Sequence, residues 1–312
     1  MHATDCSASA PSIADEPVRS CVICGETNLH PFTRHYLECR ACGHQQLAEG
    51  QHQQIIVNSI LDEAAHRTAN YQVHKQVALA LACTQSRDLL IDVGCASGKF
   101  LLHAGERFAR AQGIEISDPS RDFASRVLGL DIVGELPTEG GPPSLVTFWQ
   151  SMEHIPARDI GTILDRIYRR SDAGSRVLVS VPNGQSLQSR IYRGRFAYFD
   201  VPNHLHQFSV RSLDILMSHH GFKPCQVFVA PIYQAFGHVQ SLLNLVFPIH
   251  DYLYYRLQRG HGFNLPAGLR RGYDLLNMAL GMLLSPVAAI LTLIDIAVPG
   301  ERGVVTKCYK KK

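Results

Sequence analysis

The sequence lacks an excess of charge of either sign. Its 312 residues carry 30 Lys and Arg against 27 Asp and Glu, and charged residues make up only 18% of the chain. Proteins that bind nucleic acid through its phosphates usually carry a marked excess of positive charge. The composition therefore argues against nucleic acid as the main partner. The length allows one large domain and one small one, with an ample core.

An apolar leader is also lacking. Residues 1–17 are rich in Ala, Ser and Pro and include Asp5, Asp15 and Glu16, whereas a secretory signal would show an uninterrupted apolar run. This composition argues against secretion. It predicts a disordered tail on a cytoplasmic protein.

Cysteine, by contrast, is plentiful, with nine residues. Two Cys-x-x-Cys pairs stand fourteen residues apart, and each runs into a glycine, Gly25 or Gly43. Four thiolates on two tight turns suit tetrahedral zinc, which indicates a metal in a reducing compartment rather than disulfides. A Cys₃His site using His30, His35 or His44 is the alternative. Four cysteine ligands leave no open coordination position on the zinc, so the ion is expected to be structural. The ribbon then either only stabilises the fold or also contacts a substrate or partner. The expected ligands are Cys21, Cys24, Cys39 and Cys42.

The Gly-x-Gly-x-x-Gly fingerprint of dinucleotide-binding dehydrogenases is missing from the turn where it would be expected. There an apolar run ends at Val93, small residues follow at Gly94, Ala96 and Gly98, and apolar residues resume at helical spacing from Phe100. This pattern predicts a buried strand that turns sharply into a helix. Glycines let backbone N–H groups approach a ligand, and a helix N-terminus favours a negative group. The turn is therefore expected to bind a ligand.

An acidic residue follows at the spacing that nucleotide-binding folds use for ribose. Glu115 lies near the end of a second apolar run, residues 111–116, where a carboxylate can accept two ribose hydroxyl groups. Asp92-x-Gly94-x-Ala96-x-Gly98 with Glu115 resembles the cofactor-binding motif of class I S-adenosylmethionine-dependent methyltransferases. Ala96 replaces a glycine that most members carry, and its small methyl group should still let the cofactor bind. The resemblance implies these cofactor contacts: Asp92, Gly94, Ala96 and Gly98 for the methionine end, Glu115 for the ribose, and Ile116 and Trp149 beside them.

Strands and helices alternate from residue 88 onward, which predicts a mostly parallel sheet. The resemblance implies an α/β, Rossmann-like, seven-stranded methyltransferase sheet in the order 3-2-1-4-5-7-6, with the last strand antiparallel. Asp118 is the expected N-cap of one helix, ahead of Pro119. The predicted organisation is a disordered tail (1–17), a zinc ribbon (18–50), a helical linker or lid with Tyr71 (51–87) and the methyltransferase domain (88–312), which contains a hydrophobic helical insertion (231–303).

The segment after the fourth strand of this sheet carries candidate catalytic residues. Residues 149–156 read Trp-Gln-Ser-Met-Glu-His-Ile-Pro and resemble the Glu-His-Ile/Val segment of a subgroup that includes the ubiquinone-pathway O-methyltransferases. The resemblance implies that Glu153 and His154 face the reacting centre. An imidazole can take a proton from a hydroxyl as the methyl group moves, a role worth about 10² to 10⁴ in rate. Alternatively, His154 braces the loop and Glu153 holds its ring.

A second histidine segment spans residues 200–209. It resembles the His-Leu-x-x-Phe-Ser stretch of the same subgroup, which implies that His204 lines the substrate pocket and is a second candidate base. Related sugar C-methyltransferases carry tyrosine and glutamate where this chain has Val201 and Asn203, so transfer to oxygen or nitrogen is favoured. Histidines in a loop can also be solvated or bind stray metal. The turn at residues 182–184 is expected to help form the substrate cleft, because ligands collect at the carboxyl ends of parallel strands.

The insertion contains twenty residues without a charge, Leu275–Ile294, which is long enough to cross a bilayer. Pro286 interrupts the run, and the strand after it must return to the soluble sheet. Two hydrophobic half-helices joined at Pro286 are therefore expected, lying in a membrane interface or forming a lid or a dimer contact. Basic residues flank the run and could pair with anionic lipid: Arg270, Arg271, Arg302 and Lys310 to Lys312.

These observations favour a cytoplasmic S-adenosylmethionine-dependent methyltransferase with structural Zn²⁺. Its expected acceptor is a hydroxyl on a glycan, a lipid-linked sugar or another amphipathic small molecule, with a histidine as general base. Peripheral contact with the inner face of the membrane and homo-oligomerisation are further expectations. Two alternatives remain open: an RNA methyltransferase that binds RNA through the ribbon, and a non-catalytic scaffold. The few arginines of the ribbon are matched by glutamates, which argues against the first.

Overall fold

The computed structural model describes residues 19–48, 61–201, 203–228, 231–259, 265–298, 300 and 302–312. The predicted tail and the first part of the predicted linker lie outside the described residues. The strands are β1 (Leu29–Pro31), β2 (Tyr36–Cys39), β3 (Gln45–Leu47), β4 (Leu89–Val93), β5 (Arg110–Ile114), β6 (Asp131–Val133), β7 (Leu145–Trp149), β8 (Arg176–Pro182), β9 (His206–Gln207), β10 (Phe222–Phe228) and β11 (Val304–Lys311). The α-helices are α1 (Glu63–Arg67), α2 (Tyr71–Cys83), α3 (Lys99–Gly105), α4 (Asp118–Arg126), α5 (Ala157–Arg170), α6 (Leu187–Tyr192), α7 (Val210–His219), α8 (Pro231–Val246), α9 (Tyr252–Arg259) and α10 (Ala267–Ala297).

Seven strands form one sheet in the order β6-β5-β4-β7-β8-β11-β10. The first five are parallel, and β11 runs antiparallel to both of its neighbours. Every residue of β4 is buried, as are most residues of β7 and β8, because helices cover both faces of a parallel sheet. Counted along the catalytic domain, this is the order 3-2-1-4-5-7-6, so the predicted fold class is confirmed.

The N-terminal ribbon shares its sheet with the catalytic domain. Strands β1, β2 and β3 form an antiparallel meander, and β3 pairs with β9, which lies more than 150 residues later in the chain. The buried cysteines Cys21, Cys39 and Cys42 belong to the same apolar core as Val146 and Phe208 of the catalytic domain. The ribbon is therefore built into the structure of the methyltransferase domain.

The insertion is a helical layer made of α8, α9 and α10. The expectation of two half-helices is wrong, because α10 continues through Pro286 for 31 residues. A proline removes one backbone hydrogen bond, and the packing of α10 along α8 offsets this loss through contacts of Leu243 and Phe247 with Leu280 and Leu284. The Ser285 hydroxyl also donates to the carbonyl of Gly281, one turn earlier.

Buried polar contacts fasten the end of α10 to the catalytic domain. The Asp295 carboxylate is fully buried and accepts from His238 Nε2 of α8 at 2.8 Å and from Gln188 Nε2 of α6 at 2.7 Å. Tyr192 of α6 contacts the other ring nitrogen of His238 at 3.0 Å. A buried carboxylate needs such partners, and these partners fix the position of the insertion.

Two local expectations require correction. Ser117 is the N-cap residue of α4, whereas Asp118 lies in the first turn and pairs with Arg121. A disulfide joins Cys83 at the end of α2 to Cys308 of β11, although the cysteine pattern favoured reduced thiols. The two residues are 225 positions apart, and nothing in the local sequence links them.

Candidate active site

A cavity of about 1140 Å³ opens at the carboxyl ends of β4, β5, β7 and β8. Its other walls are the segment of residues 197–204 and helices α8 and α9 of the insertion. Single-ligand pockets typically measure about 300–1,000 Å³. The cavity therefore has room for a cofactor and an acceptor side by side, at the place where open α/β sheets bind ligands.

The turn after β4 forms one side of the cavity. Gly94 has φ +72, and a Cβ there would lie 2.5 Å from the Ser151 Cβ, so only glycine fits. Gly98 has φ +83, and its own Cβ would meet Leu130 at 2.5 Å. Gly94 and Ala96 line the cavity, whereas Gly98 is not among the lining residues and packs the start of α3 against its neighbours. The predicted cofactor residues thus divide into those that face the cavity and those that shape it.

Ala96 adopts φ 49, a left-handed conformation that costs an L-residue about 1–2 kcal/mol. Glu115 holds it there. One Glu115 carboxylate oxygen accepts from the Ala96 N–H at 2.8 Å, and the other accepts from the Ser117 N–H at 2.8 Å. A carboxylate has about four acceptor positions, so Glu115, which also lines the cavity, keeps capacity for ribose hydroxyl groups.

Asp92 lies beneath the turn and is not one of the cavity-lining residues. It accepts from the Thr147 hydroxyl at 2.6 Å. Burial raises the pKa of Asp92 to about 7, and the nearby charge of Glu115 adds to the rise. Asp92 therefore links β4 to β7 directly below the turn.

Apolar and aromatic residues complete the cofactor side. Ile116 is 69% exposed at the cavity rim, and Tyr71 of the predicted lid also lines the cavity. Trp149 lines it as well, packs edge-on against Phe100, and has a buried Nε1–H with no hydrogen-bond partner in the described chain. Exposed apolar side chains and an unused donor suit a planar heterocycle. Together with the glycine turn and Glu115, these residues fit S-adenosylmethionine.

His154 and His204 line the opposite side of the cavity, whereas Glu153, which the resemblance also implied at the reacting centre, is fully buried beside them and does not line it. The two histidine rings contact each other edge to face, with centroids 4.6 Å apart. One candidate ligand atom from each of the three residues lies within 4.8 Å of the other two. His154 Nδ1 lies 2.9 Å from the Asn203 carbonyl, and His204 Nδ1 lies 2.9 Å from the Tyr198 carbonyl. A carbonyl only accepts, so we assign the proton of each ring to Nδ1 and leave each Nε2 as an acceptor.

Burial keeps the three side chains of this cluster uncharged. It lowers the pKa of His154 and lowers the pKa of His204 to about 3, with the neighbouring imidazole adding to the shift. Burial also raises the pKa of Glu153 to about 8. Neither carboxyl oxygen of Glu153 has a hydrogen-bond partner in the described residues, so Glu153 does not hold the His154 ring, and that part of the alternative is wrong; the His154 ring does contact the neighbouring loop through the Asn203 carbonyl. The cluster is rich in acceptors, and it can take a proton from a ligand or hold a divalent cation.

The structure also corrects the predicted cleft. Residues 182–184 do not line the cavity; Asn183 donates to the carbonyls of Gly300 and Arg302, and the Gly184 N–H donates to Phe208. The antiparallel return of β11 and the ribbon cover this turn. The sequence alone did not predict a site role for six lining residues of the acceptor side: Tyr198, Asp200, Phe236, Gln240, Tyr254 and Tyr255. The aromatic content of the insertion was a signal for some of them.

The four ribbon cysteines lie close enough to share one metal ion. Their Sγ atoms are 3.5–3.6 Å apart for the pairs Cys21–Cys42, Cys24–Cys39 and Cys24–Cys42. Tetrahedral zinc with bonds of about 2.3 Å separates its sulfur ligands by about 3.8 Å. The set therefore fits a structural zinc ion, and it leaves no position open for catalysis.

Comparison with known proteins identifies the family. The sequence profile of a methyltransferase domain family matches residues 64–227, which is more than half of the chain. The chain belongs to this methyltransferase family. The match begins at α1 and ends within β10, so it contains the cofactor turn, Glu115 and both cavity histidines. No curated protein matches the methyltransferase.

Solved structures resemble parts of the chain at low identity. The methyltransferase is 15% identical to a SAM-dependent methyltransferase from Archaeoglobus fulgidus, with TM-score 0.47 over 80% of this chain and 97% of that one. It is 13% identical to the cyclopropane synthase MmaA2 from Mycobacterium tuberculosis, with TM-score 0.48 over 76% and 84%. Streptomyces venezuelae DesVI is 21% identical, with TM-score 0.31 over 38% of this chain, which spans 50% of the length of DesVI.

Proposed function

We propose that the protein transfers a methyl group from S-adenosylmethionine to a hydroxyl of an amphipathic small molecule, such as a lipid-linked sugar or another glycan. One observation carries the proposal. A single cavity has the glycine turn and Glu115 on one side and the uncharged imidazoles of His154 and His204 on the other, with the buried Glu153 carboxyl directly behind them. A hydroxyl is the acceptor that such a cluster can both orient and deprotonate.

In this mechanism the cofactor, when bound, supplies an electrophilic methyl group on a sulfonium. Gly94, Ala96 and Glu115 would hold its two ends, and the protein's remaining task is to place the acceptor oxygen in line and remove its proton. His154 is the better base of the two histidines, because a pKa far below the working pH makes His204 a weak proton acceptor. His204 Nε2 would instead orient the hydroxyl.

The insertion supports an amphipathic acceptor. Helix α10 has 31 residues, a length of about 46 Å, and is the one described helix that is long and apolar enough to cross a membrane. By itself this is weak evidence for a membrane protein. Only 22% of its most apolar stretch is buried, however, and its exposed residues recur every three or four positions as one stripe. We call this stripe the α10 face: Leu275, Leu276, Met282, Leu283, Val287, Ile290, Leu293 and Ile294.

We propose that the α10 face lies in the cytoplasmic membrane interface. Large exposed apolar stripes mark membrane or protein contacts, and Arg270 and Arg271 at the start of α10 could meet anionic head groups. Lys311 and Lys312 do not contribute, because they donate to the carbonyls of Tyr168 and Ser218 at the far end of β11. Attachment of α10 to α8 and α6 through buried Asp295 favours a helix that lies on the bilayer over one that crosses it.

Transfer of radiolabelled methyl groups into a host extract tests the function. The extract is separated into lipid, small-molecule, RNA and protein fractions, and wild type is compared with Glu115→Ala and His154→Gln. We expect label in the lipid or small-molecule fraction, which Glu115→Ala abolishes together with cofactor binding. His154→Gln should keep cofactor binding and slow transfer by about 10² to 10⁴. Label in RNA would support the RNA methyltransferase instead, and failure to bind the cofactor would support a non-catalytic scaffold.

A further inference from the structure

The ribbon reaches the acceptor side of the cavity through direct contacts. Strand β3 pairs with β9 in the register Gln45 to Gln207 and Gln46 to His206. One residue further along, the Leu47 N–H donates to the Leu205 carbonyl at 3.1 Å. The segment that carries His204 is therefore the edge of the ribbon sheet, although it is distant from the ribbon in sequence.

Tyr36 makes the most direct contact. Its hydroxyl donates to the backbone carbonyl of His204 at 2.7 Å, and its buried ring packs against Phe199 with centroids 5.1 Å apart. On the other side of the same segment, the Leu205 N–H donates to the Glu153 carbonyl at 2.8 Å. Both polar groups of the His204–Leu205 peptide are thus fixed, the carbonyl by Tyr36 of the ribbon and the N–H by the backbone of Glu153.

A second path leads to His154. His44 of the ribbon contacts His206 between Nε2 and Nδ1 at 3.2 Å, and His206 Nε2 contacts the carbonyl of Ile155, the residue after His154, at 3.1 Å. His44 and His206 are buried, so each contact replaces lost water. The ribbon therefore contacts the backbone of His204 directly and reaches Ile155, the residue after His154, through His206.

The metal ligands lie on the same pieces of backbone. Cys39 ends strand β2, which begins at Tyr36, and the Cys42 carbonyl accepts from the hydroxyl of Ser209, the N-cap of α7, at 2.6 Å. A metal ion that closes the turn from Cys39 to Cys42 thereby fixes the hairpin that supports residues 204–209.

We propose that the ribbon is a positioning element of the active site, in which Tyr36 sets the place of His204 and metal binding by the four cysteines holds Tyr36 and His44 in register. The ribbon thus does more than stabilise a short segment, and it acts through backbone contacts without touching the reacting atoms. This inference rests on the proposed role of His154 and His204, but the measurement that decides it, the imidazole signals of these histidines, does not require the acceptor to be known.

The test compares wild type with Tyr36→Phe and with Tyr309→Phe. Tyr36→Phe removes one hydroxyl and keeps the ring that packs on Phe199. Tyr309→Phe is the matched control, because Tyr309 is equally buried and its hydroxyl donates to Asp214, away from the cavity. Imidazole ¹⁵N and ¹H signals of His154 and His204 are assigned by single His→Gln variants. Zinc content and affinity for S-adenosylhomocysteine are measured on the same samples.

We expect Tyr36→Phe to retain zinc and S-adenosylhomocysteine affinity, to shift or broaden the His204 imidazole signals, and to slow methyl transfer about 10- to 100-fold, since small displacements of catalytic groups cost that much. Tyr309→Phe should leave the histidine signals unchanged. Removal of zinc with a chelator should produce the same histidine changes while the cofactor site still binds. Unchanged His154 and His204 signals in Tyr36→Phe and in zinc-free protein would overturn the inference. If Tyr36→Phe shifts the histidine signals but the wild-type protein methylates no acceptor, the proposed function would be refuted and the positioning role would stand.

Discussion

The buried carboxyl of Glu153 should make stability fall as the pH rises, and Glu153→Gln should remove this effect. Burial raises the pKa of Glu153 from 4.5 to about 8. Between these two pH values the folded protein holds a proton that the unfolded chain has released, so increasing pH favours unfolding. Each pKa unit is worth about 1.4 kcal/mol, so the free energy of unfolding should fall by about 5 kcal/mol as the pH rises through this range. This value is an upper limit, because water that reaches the carboxyl would reduce the rise in its pKa.

The measurement is urea unfolding at pH 5.5, 7.0 and 8.5, with saturating zinc in all samples. The single tryptophan, Trp149, lines the cavity and provides the fluorescence signal. The free energy of unfolding of Glu153→Gln relative to wild type should grow by several kcal/mol from pH 5.5 to 8.5, since glutamine cannot ionise. Glu106→Gln, at an exposed acid, serves as the control and should follow wild type. Parallel pH dependence in wild type and Glu153→Gln would show that Glu153 is already ionised, with a cation or donor beside it.

Three further predictions concern the turn, the base and the α10 face. Ala96→Gly should raise Tm by about 1–3 °C without changing S-adenosylhomocysteine affinity, because glycine adopts φ 49 without strain; Ala65→Gly in α1 should lower it, and a lower Tm for Ala96→Gly would contradict the assigned strain. The lowered pKa of His154 keeps the imidazole neutral at neutral pH, so the transfer rate should stay constant from pH 8 to 6.5 and fall only at lower pH; loss of activity beginning above pH 7 would exclude His154 as the base. Leu283 is 74% exposed, so Leu283→Glu should leave Tm unchanged and reduce sedimentation with vesicles containing anionic lipid at least about tenfold. Leu61→Glu is the control and should sediment like wild type. A change from dimer to monomer in Leu283→Glu without loss of vesicle binding would assign the α10 face to a dimer contact.

The seven-stranded sheet could be predicted because its evidence is local. Apolar runs such as Leu89–Val93 and Leu145–Trp149 are recognisable in the sequence, and the order of the strands followed from the family resemblance. The same resemblance placed His154 and His204 at one site, although fifty residues separate them. It could not give their protonation, which depends on the surrounding burial and on the carbonyls of Asn203 and Tyr198.

Long-range pairings could not be predicted, because no local pattern records them. Strand β9 has two residues, His206 and Gln207, which are too few for a strand signal, yet their pairing with β3 joins the ribbon to the cavity. The disulfide between Cys83 and Cys308 was hidden in the same way. The continuity of α10 through Pro286 depends on packing against α8, which outweighs a local rule about proline.

The acceptor side of the cavity is built partly from residues outside the family match. Residues 64–227 contain the cofactor turn and the two histidines, but Phe236, Gln240, Tyr254 and Tyr255 come from the insertion, and the ribbon that fixes the His204 segment precedes the match. A family supplies the chemistry of methyl transfer through the shared residues, whereas the choice of acceptor depends on the walls that surround it. Substituting Phe236 or Tyr254 should therefore change which acceptor is methylated while cofactor affinity stays the same. Substituting Glu115 should weaken cofactor binding without changing which acceptor is preferred.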